Sequence, residues 1–167
     1  VGKSNKKHEI EINDEEIPDL PALVMMCKDA KKGKRDDLFL FFDQNGNSQD
    51  VKAYHVNEYI QDICGEKFTA KDFRTWGGTK LAAKFLTTFK RHDNKKQRKK
   101  NVTIMVKNVA AKLGNTPAVC RGSYIHPRFV NDYLRGSFFR LWKDTLGEQR
   151  YRLSDNESRV IKYLENR

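Results

Sequence analysis

Tyr124 stands nine residues after Asn115 in the stretch Leu113-Gly114-Asn115-Thr116-Pro117-Ala118-Val119-Cys120-Arg121-Gly122-Ser123-Tyr124-Ile125-His126-Pro127, and Lys71-Asp72-Phe73-Arg74-Thr75-Trp76 lies upstream. A phenol with basic and amide groups placed around it is equipment for attacking a phosphodiester. An unperturbed phenol titrates at about 10, so at neutral pH it needs cations to stabilise the charge that grows on the phosphorus oxygens. Arginine suits that task, because its planar fork keeps its proton at any working pH. An asparagine amide can donate to the same oxygens without carrying charge.

The elements that position these groups are bounded by composition. With 167 residues and 38% apolar content, one domain spanning 1–167 is expected, with a core that needs no disulfide or structural metal. A net charge of +11 and a pI of about 9.6 point to a polyanionic partner. Residues 1–50 carry 8 Lys/Arg against 11 Asp/Glu, whereas 51–167 carry 25 against 11, so the basic surface belongs with Arg74 and Tyr124. Cys27, Cys64 and Cys120 are odd in number, widely spaced and without a CxxC pair. They read as buried thiols of a reducing compartment. No apolar run nears the roughly 18 to 20 residues of a membrane span, and the start lacks a signal-peptide core, so a cytosolic setting is expected. The chain opens Val1-Gly2-Lys3 with no initiating methionine, and reads as a fragment of a longer protein.

Along the chain, Lys7 to Ile12 alternate polar and apolar after the turn-forming Gly2-Lys3-Ser4-Asn5-Lys6, which predicts the second half of a β-hairpin. Helices are expected at about 20–31, then at 53–64 up to Gly65, with a polar loop at 31–37 and a turn at 43–47 between them. A calcium loop is excluded there by spacing: Gly46 falls at position 4 and Tyr54 at position 12, where a Gly at 6 and a Glu at 12 are needed. Thr69 can cap a helix over 70–90 whose apolar face is Phe73, Leu81, Phe85, Leu86 and Phe89. Lys90 to Lys100 pack seven Lys/Arg into eleven residues and read as a charged loop or linker along a polyanion. Val102, Met105, Val106, Val109, Ala110 and Leu113 then mark a helix that Gly114 ends, and further helices are expected at 117–123, 127–135, 137–146 and 155–166. The fold class is mainly α with a small N-terminal β element.

Gly2-Lys3 with His8 downstream, Lys71-Asp72-Phe73-Arg74-Thr75-Trp76-Gly77-Gly78-Thr79, and Leu113-Gly114-Asn115-Thr116-Pro117 leading to Ser123-Tyr124-Ile125-His126-Pro127 resemble, in order, the three boxes of the small viral and bacterial type IB DNA topoisomerases. The resemblance implies catalytic roles for four residues. Tyr124 would be the nucleophile and Lys3 the donor of a proton to the departing 5′-oxygen. Arg74 and Asn115, the latter where many relatives have histidine, would hold the non-bridging phosphate oxygens; directly after Gly114, Asn115 also fits a helix C-terminal cap, alone or together with that role. It implies double-stranded DNA as partner, no cofactor, nucleotide or metal, a monomer, and relaxation of supercoils through a reversible 3′-phosphotyrosyl bond. The location would be cytoplasm and nucleoid, virion or nucleus, depending on source.

Arg121, Lys71, Lys95, Lys96, Arg98 and Lys99 are candidate DNA contacts. His126 fits a structural role, His8 would either orient the hairpin or stand exposed on its strand, and His55 and His92 carry no signal. The family has a further catalytic arginine and a DNA-clamping domain upstream of the lysine hairpin, so the chain reads as most of a catalytic domain, impaired if alone. Two other readings stand beside this one. Tyrosine recombinases share the nucleophile but usually open the second box with His-x-x-Arg, where this chain has Lys71; a non-catalytic DNA-binding module would keep the scaffold alone.

Overall fold

A computed structural model of the chain describes residues 11, 18–29, 38–65 and 67–166. The expected N-terminal hairpin, with Lys3 and His8, and the loop at 31–37 lie outside the described residues. The remainder divides into two units, one ending at Ala70 and one beginning at Lys71.

The first unit holds α1 (Leu20–Asp29), an antiparallel pair β1 (Leu40–Phe42) and β2 (Ser48–Asp50), and α2 (Ala53–Cys64). Leu40 pairs with Asp50, Phe41 with Gln49 and Phe42 with Ser48. The second strand was not expected, because Ser-Gln-Asp carries no apolar alternation. The Asp43 turn forms it: the Asp43 carboxylate accepts from the Asn45 and Asn47 amides, both at 2.9 Å, and the Asp43 amide donates to Asn47 O at 3.0 Å. His55 also gains a role, accepting at Nδ1 from the Lys52 amide at 2.9 Å to cap α2. The thiol expectation needs correction in this unit. Cys64 is exposed and Cys27 half-buried, since neither α1 nor α2 has a buried residue; Cys120, in the second unit, is buried.

The second unit holds α3 (Ala70–Thr88) from its second residue onward, α4 (Lys95–Lys112), α5 (Pro117–Ser123), α6 (Pro127–Arg135), α7 (Phe138–Lys143) and α8 (Asp155–Glu165). Its core joins Val102, Met105, Val106 and Val109 of α4 to Phe129, Tyr133, Phe138, Trp142 and Tyr163. Phe129 stacks on Tyr163 with ring centroids 4.6 Å apart, and Phe138 on Trp142 at 5.7 Å. The Tyr163 hydroxyl donates to Asp132 Oδ2 at 2.8 Å, and burial together with that carboxylate holds the phenol protonated well above its usual range.

Two expectations are corrected here. The buried face of α3 is Gly78, Thr79, Ala82, Ala83 and Leu86, whereas Phe73 is 61% exposed. Leu81, Phe85 and Phe89 pack against the core as expected, and Gly78 stands where the Tyr124 backbone comes close. The basic segment is also no loop beyond Asn94. Asn94 Oδ1 accepts from the Lys96 amide at 2.8 Å and starts α4 at Lys95. The Arg98 guanidinium then ties the helix start down, donating to Leu134 O at 3.0 Å, His92 O at 2.9 Å and Asp93 O at 2.8 Å. These bonds offset the like-charge repulsion that suggested a loop.

On the other side of α3, Lys80 Nζ meets Glu157 Oε1 at 2.6 Å and the Asn156 amide donates to Lys80 O at 3.3 Å, fastening α8 to α3. Hydrogen bonds from Lys80 and Ser154 hold the Glu157 carboxyl down at about 2. Among the described residues no helix is long and apolar enough to cross a membrane.

Candidate active site

α4 ends where Leu113 leads into Gly114, whose φ of +64° suits a residue without Cβ. The Gly114 amide donates to Ala111 O at 3.2 Å and the Asn115 amide to Ala110 O at 2.9 Å, which closes the helix with paired reverse bonds. Capping therefore uses the Asn115 backbone. Its side chain turns back instead, Nδ2 donating to Leu113 O at 3.1 Å. The same carbonyl accepts from Arg74 Nη2 at 2.7 Å. One helix-terminal oxygen thus holds an amide and a guanidinium together, and the negative end of the α4 dipole favours the cation there.

Thr116 caps α5, accepting from the Val119 amide at 3.3 Å, and Pro117 occupies its first turn. α5 is short and ends at Tyr124, whose amide donates to Cys120 O at 3.0 Å. The Arg74 Cζ lies 5.2 Å from the Tyr124 ring centroid, within cation–π range. Arg74 is exposed and Tyr124 half-buried, so a ligand from solvent can reach both. Burial raises the Cys120 thiol, and the Arg74 charge opposes that rise.

Besides Arg74, which faces the ring, three residues of α3 meet the backbone around Tyr124. Thr75 Oγ1 lies 3.2 Å from Lys71 O and 3.3 Å from Ser123 O. Thr79 Oγ1 accepts from the His126 amide at 3.1 Å. Between them, a Cβ on Gly78 would overlap the Tyr124 carbonyl. Arg74 and Gly78, and likewise Thr75 and Thr79, are four residues apart, so the four form two adjacent columns on one helix face. His126 has the structural role expected: its Nδ1 accepts from the Arg128 amide at 3.3 Å, capping α6. Burial, and then the Arg128 charge, push its pKa down, which favours the neutral ring that such a cap requires.

A pair of glycine substitutions tests this packing. Gly78→Ala is expected to lower stability by about 1 to 3 kcal/mol, because backbone cannot move aside as a side chain can. Gly77→Ala, where an added Cβ meets nothing within 4 Å, is expected to stabilise the helix by about 0.5 to 1 kcal/mol. Chemical denaturation of the two variants beside the parent gives both values.

The other sequence candidates fall outside this cluster. Lys71 and Arg121 are exposed, on the first turn of α3 and the last turn of α5. Lys96, Lys99 and Lys100 are exposed near the start of α4, while Lys95 and Arg98 line a cleft against α6. Sequence reasoning missed Leu113, whose contribution is a carbonyl that every residue carries. It also missed Lys107, which with Arg121, Thr103 and Pro117 lines a cleft of about 210 Å³ between α4 and α5.

The catalytic-core profile of eukaryotic DNA topoisomerase I matches residues 1–135. The chain is 35% identical over 99 residues to a protein of Acanthamoeba polyphaga mimivirus named DNA topoisomerase 1B, a match covering 56% of this chain and 30% of that relative. The chain belongs to the type IB DNA topoisomerase family. It spans about a third of the length of the relative it matches.

Proposed function

We propose that this chain carries the strand-cleavage centre of a type IB topoisomerase, relaxing supercoiled DNA without ATP or metal. The observation that carries the reading is the meeting of Arg74 and Asn115 at the Leu113 carbonyl, with the guanidinium over the Tyr124 ring. In the proposed step the Tyr124 oxygen forms a bond to a DNA phosphorus while the bond from phosphorus to the 5′-oxygen breaks. The tyrosine proton passes to solvent, and the leaving oxygen takes a proton from Lys3, the residue that the family resemblance assigns to this task. Arg74 donates to the non-bridging oxygens with the arms of its fork not held by Leu113, and Asn115 adds a neutral donor. Charge stabilisation at those oxygens is the largest contribution the side chains make. The 3′-phosphotyrosyl bond retains the energy of the broken phosphodiester, so the 5′-hydroxyl can reverse the step after the strand rotates.

A basic track supports the same reading. Lys96, Lys100, Thr103 and Lys107 recur at four, three and four residues along the exposed face of α4, which keeps them within one narrow stripe. The stripe leads toward the cleft shared with Arg121, whose helix ends at Tyr124. Replacing Lys96, Lys100 and Lys107 by glutamine is expected to reduce the slope of log affinity against log salt by about 2 to 3 units for duplex DNA. An unchanged slope in a fluorescence-anisotropy titration would remove the track from the account.

The activity itself is tested by incubating supercoiled plasmid with the complete protein that carries this chain, in excess EDTA and without nucleotide. A ladder of relaxed topoisomers supports the reading. Site-dependent strand exchange would replace it with a recombinase, and binding without any covalent adduct would leave a DNA-binding module.

A further inference from the structure

At the end of α4 far from Leu113, Lys95, Arg98, Asn131, Leu134 and Arg135 line an open cleft of about 460 Å³ between α4 and α6. The 18 residues of α4 rise about 1.5 Å each, so this cleft and the Arg74–Asn115 meeting point are separated by roughly 25 Å. Three of its five lining residues are cations and none is a carboxylate. None of the ion pairs formed among the described residues includes Lys95, Arg98 or Arg135. Like charges gathered around one cleft repel, and a bound anion relieves that repulsion.

One of the cations is also fixed in place. Arg98 Nε and Nη1 are committed to the carbonyls of Leu134, His92 and Asp93, and the guanidinium lies against Gly136, where a Cβ would come within 3.3 Å of Nη1. None of these bonds uses Nη2, so a preorganised donor remains on a partly buried charge. Arg135 and the Asn131 amide, one turn apart on α6, add a second fork and a neutral donor. Lys95, exposed at the cleft, supplies an ammonium. A single carboxylate would leave most of these donors unused, whereas a multiply charged group with several oxygens engages them together.

We propose that this cleft is a second anion site, which takes a phosphate group through Lys95, Arg98, Asn131 and Arg135. The group has two possible sources, a nucleic-acid backbone or a free polyphosphate, and the chemistry of recognition is shared. The inference stands apart from the reading of Tyr124, because it needs neither cleavage nor DNA for its first test.

Inorganic pyrophosphate is titrated into the ¹⁵N-labelled complete protein while the amides of residues 94–98 and 131–137 are followed. A saturable shift at those amides is expected, with affinity at least about 10-fold weaker in a Lys95→Gln/Arg135→Gln variant. Arg98 is left intact, since its carbonyl bonds hold the start of α4. Addition of a short DNA duplex then separates the sources: displacement of pyrophosphate from these amides identifies the backbone, and its retention identifies the free anion. No saturable shift with either probe, or an equal shift in the double variant, overturns the proposal.

Discussion

Replacing Tyr124 by phenylalanine is expected to abolish plasmid relaxation, by at least about 10⁴-fold, while leaving duplex binding within about twofold. The substitution removes one oxygen and keeps the ring. The ring is what packs against the core and faces Arg74, so folding and the surrounding backbone bonds should survive. The Tyr124 amide, its carbonyl against Gly78, and the Thr75 and Thr79 contacts on either side all involve backbone atoms that phenylalanine retains. Gel relaxation over a wide range of protein concentration, beside anisotropy binding, separates loss of chemistry from loss of affinity. Residual relaxation within tenfold of the parent would mean that another group attacks the phosphate.

The second large effect is expected at Arg74. In the proposed mechanism, truncation to alanine removes a charged donor to oxygens whose charge grows during attack, which corresponds to about 3 to 4 kcal/mol, or roughly 10² to 10³ in cleavage rate. Arg74→Lys tests geometry separately from charge. An ammonium cannot hold Leu113 O with one arm and reach phosphate oxygens with others in a fixed plane, so lysine should recover only a small part of the loss. Single-turnover cleavage rates distinguish this from a simple fall in DNA affinity. If Arg74→Lys cleaves at the parental rate, the Leu113 contact has no bearing on catalysis.

The helices around the site were legible because their ends carry local chemistry. Thr116-Pro117 and His126-Pro127 place a capping side chain immediately before a proline that fits only the first turn, and Gly114 supplies the left-handed residue that ends α4. The second box was legible as a motif but not as a mechanism. Its spacing becomes physical only in three dimensions, where Arg74 and Gly78 form one column and Thr75 and Thr79 the next, against the chain from Ser123 to His126. Apolar periodicity placed Leu86 in the core and Leu81, Phe85 and Phe89 against it, but it also gave the exposed Phe73 to the core and missed Gly78, where the Tyr124 backbone comes close.

Other features depend on partners distant in sequence. Seven cations in eleven residues read as a loop, yet Arg98 finds Leu134 O thirty-six residues away and Asn94 supplies the cap. The phosphate cleft needs Asn131 and Arg135 from α6 beside Lys95 and Arg98 from α4, and no sequence window contains both pairs. Leu113 could not be found by residue type at all, because what it offers is a backbone oxygen freed by the end of a helix.

The proposed mechanism joins Tyr124 to a DNA 3′-phosphate. Its most direct test traps the adduct between the complete protein and duplex DNA in excess EDTA, digests both components, and identifies the modified peptide by mass spectrometry. The expected product is a nucleotide linked through its 3′-phosphate to the peptide containing Ser123-Tyr124-Ile125, with fragmentation assigning it to Tyr124. A nucleotide on any other residue, or one linked through a 5′-phosphate, would contradict it.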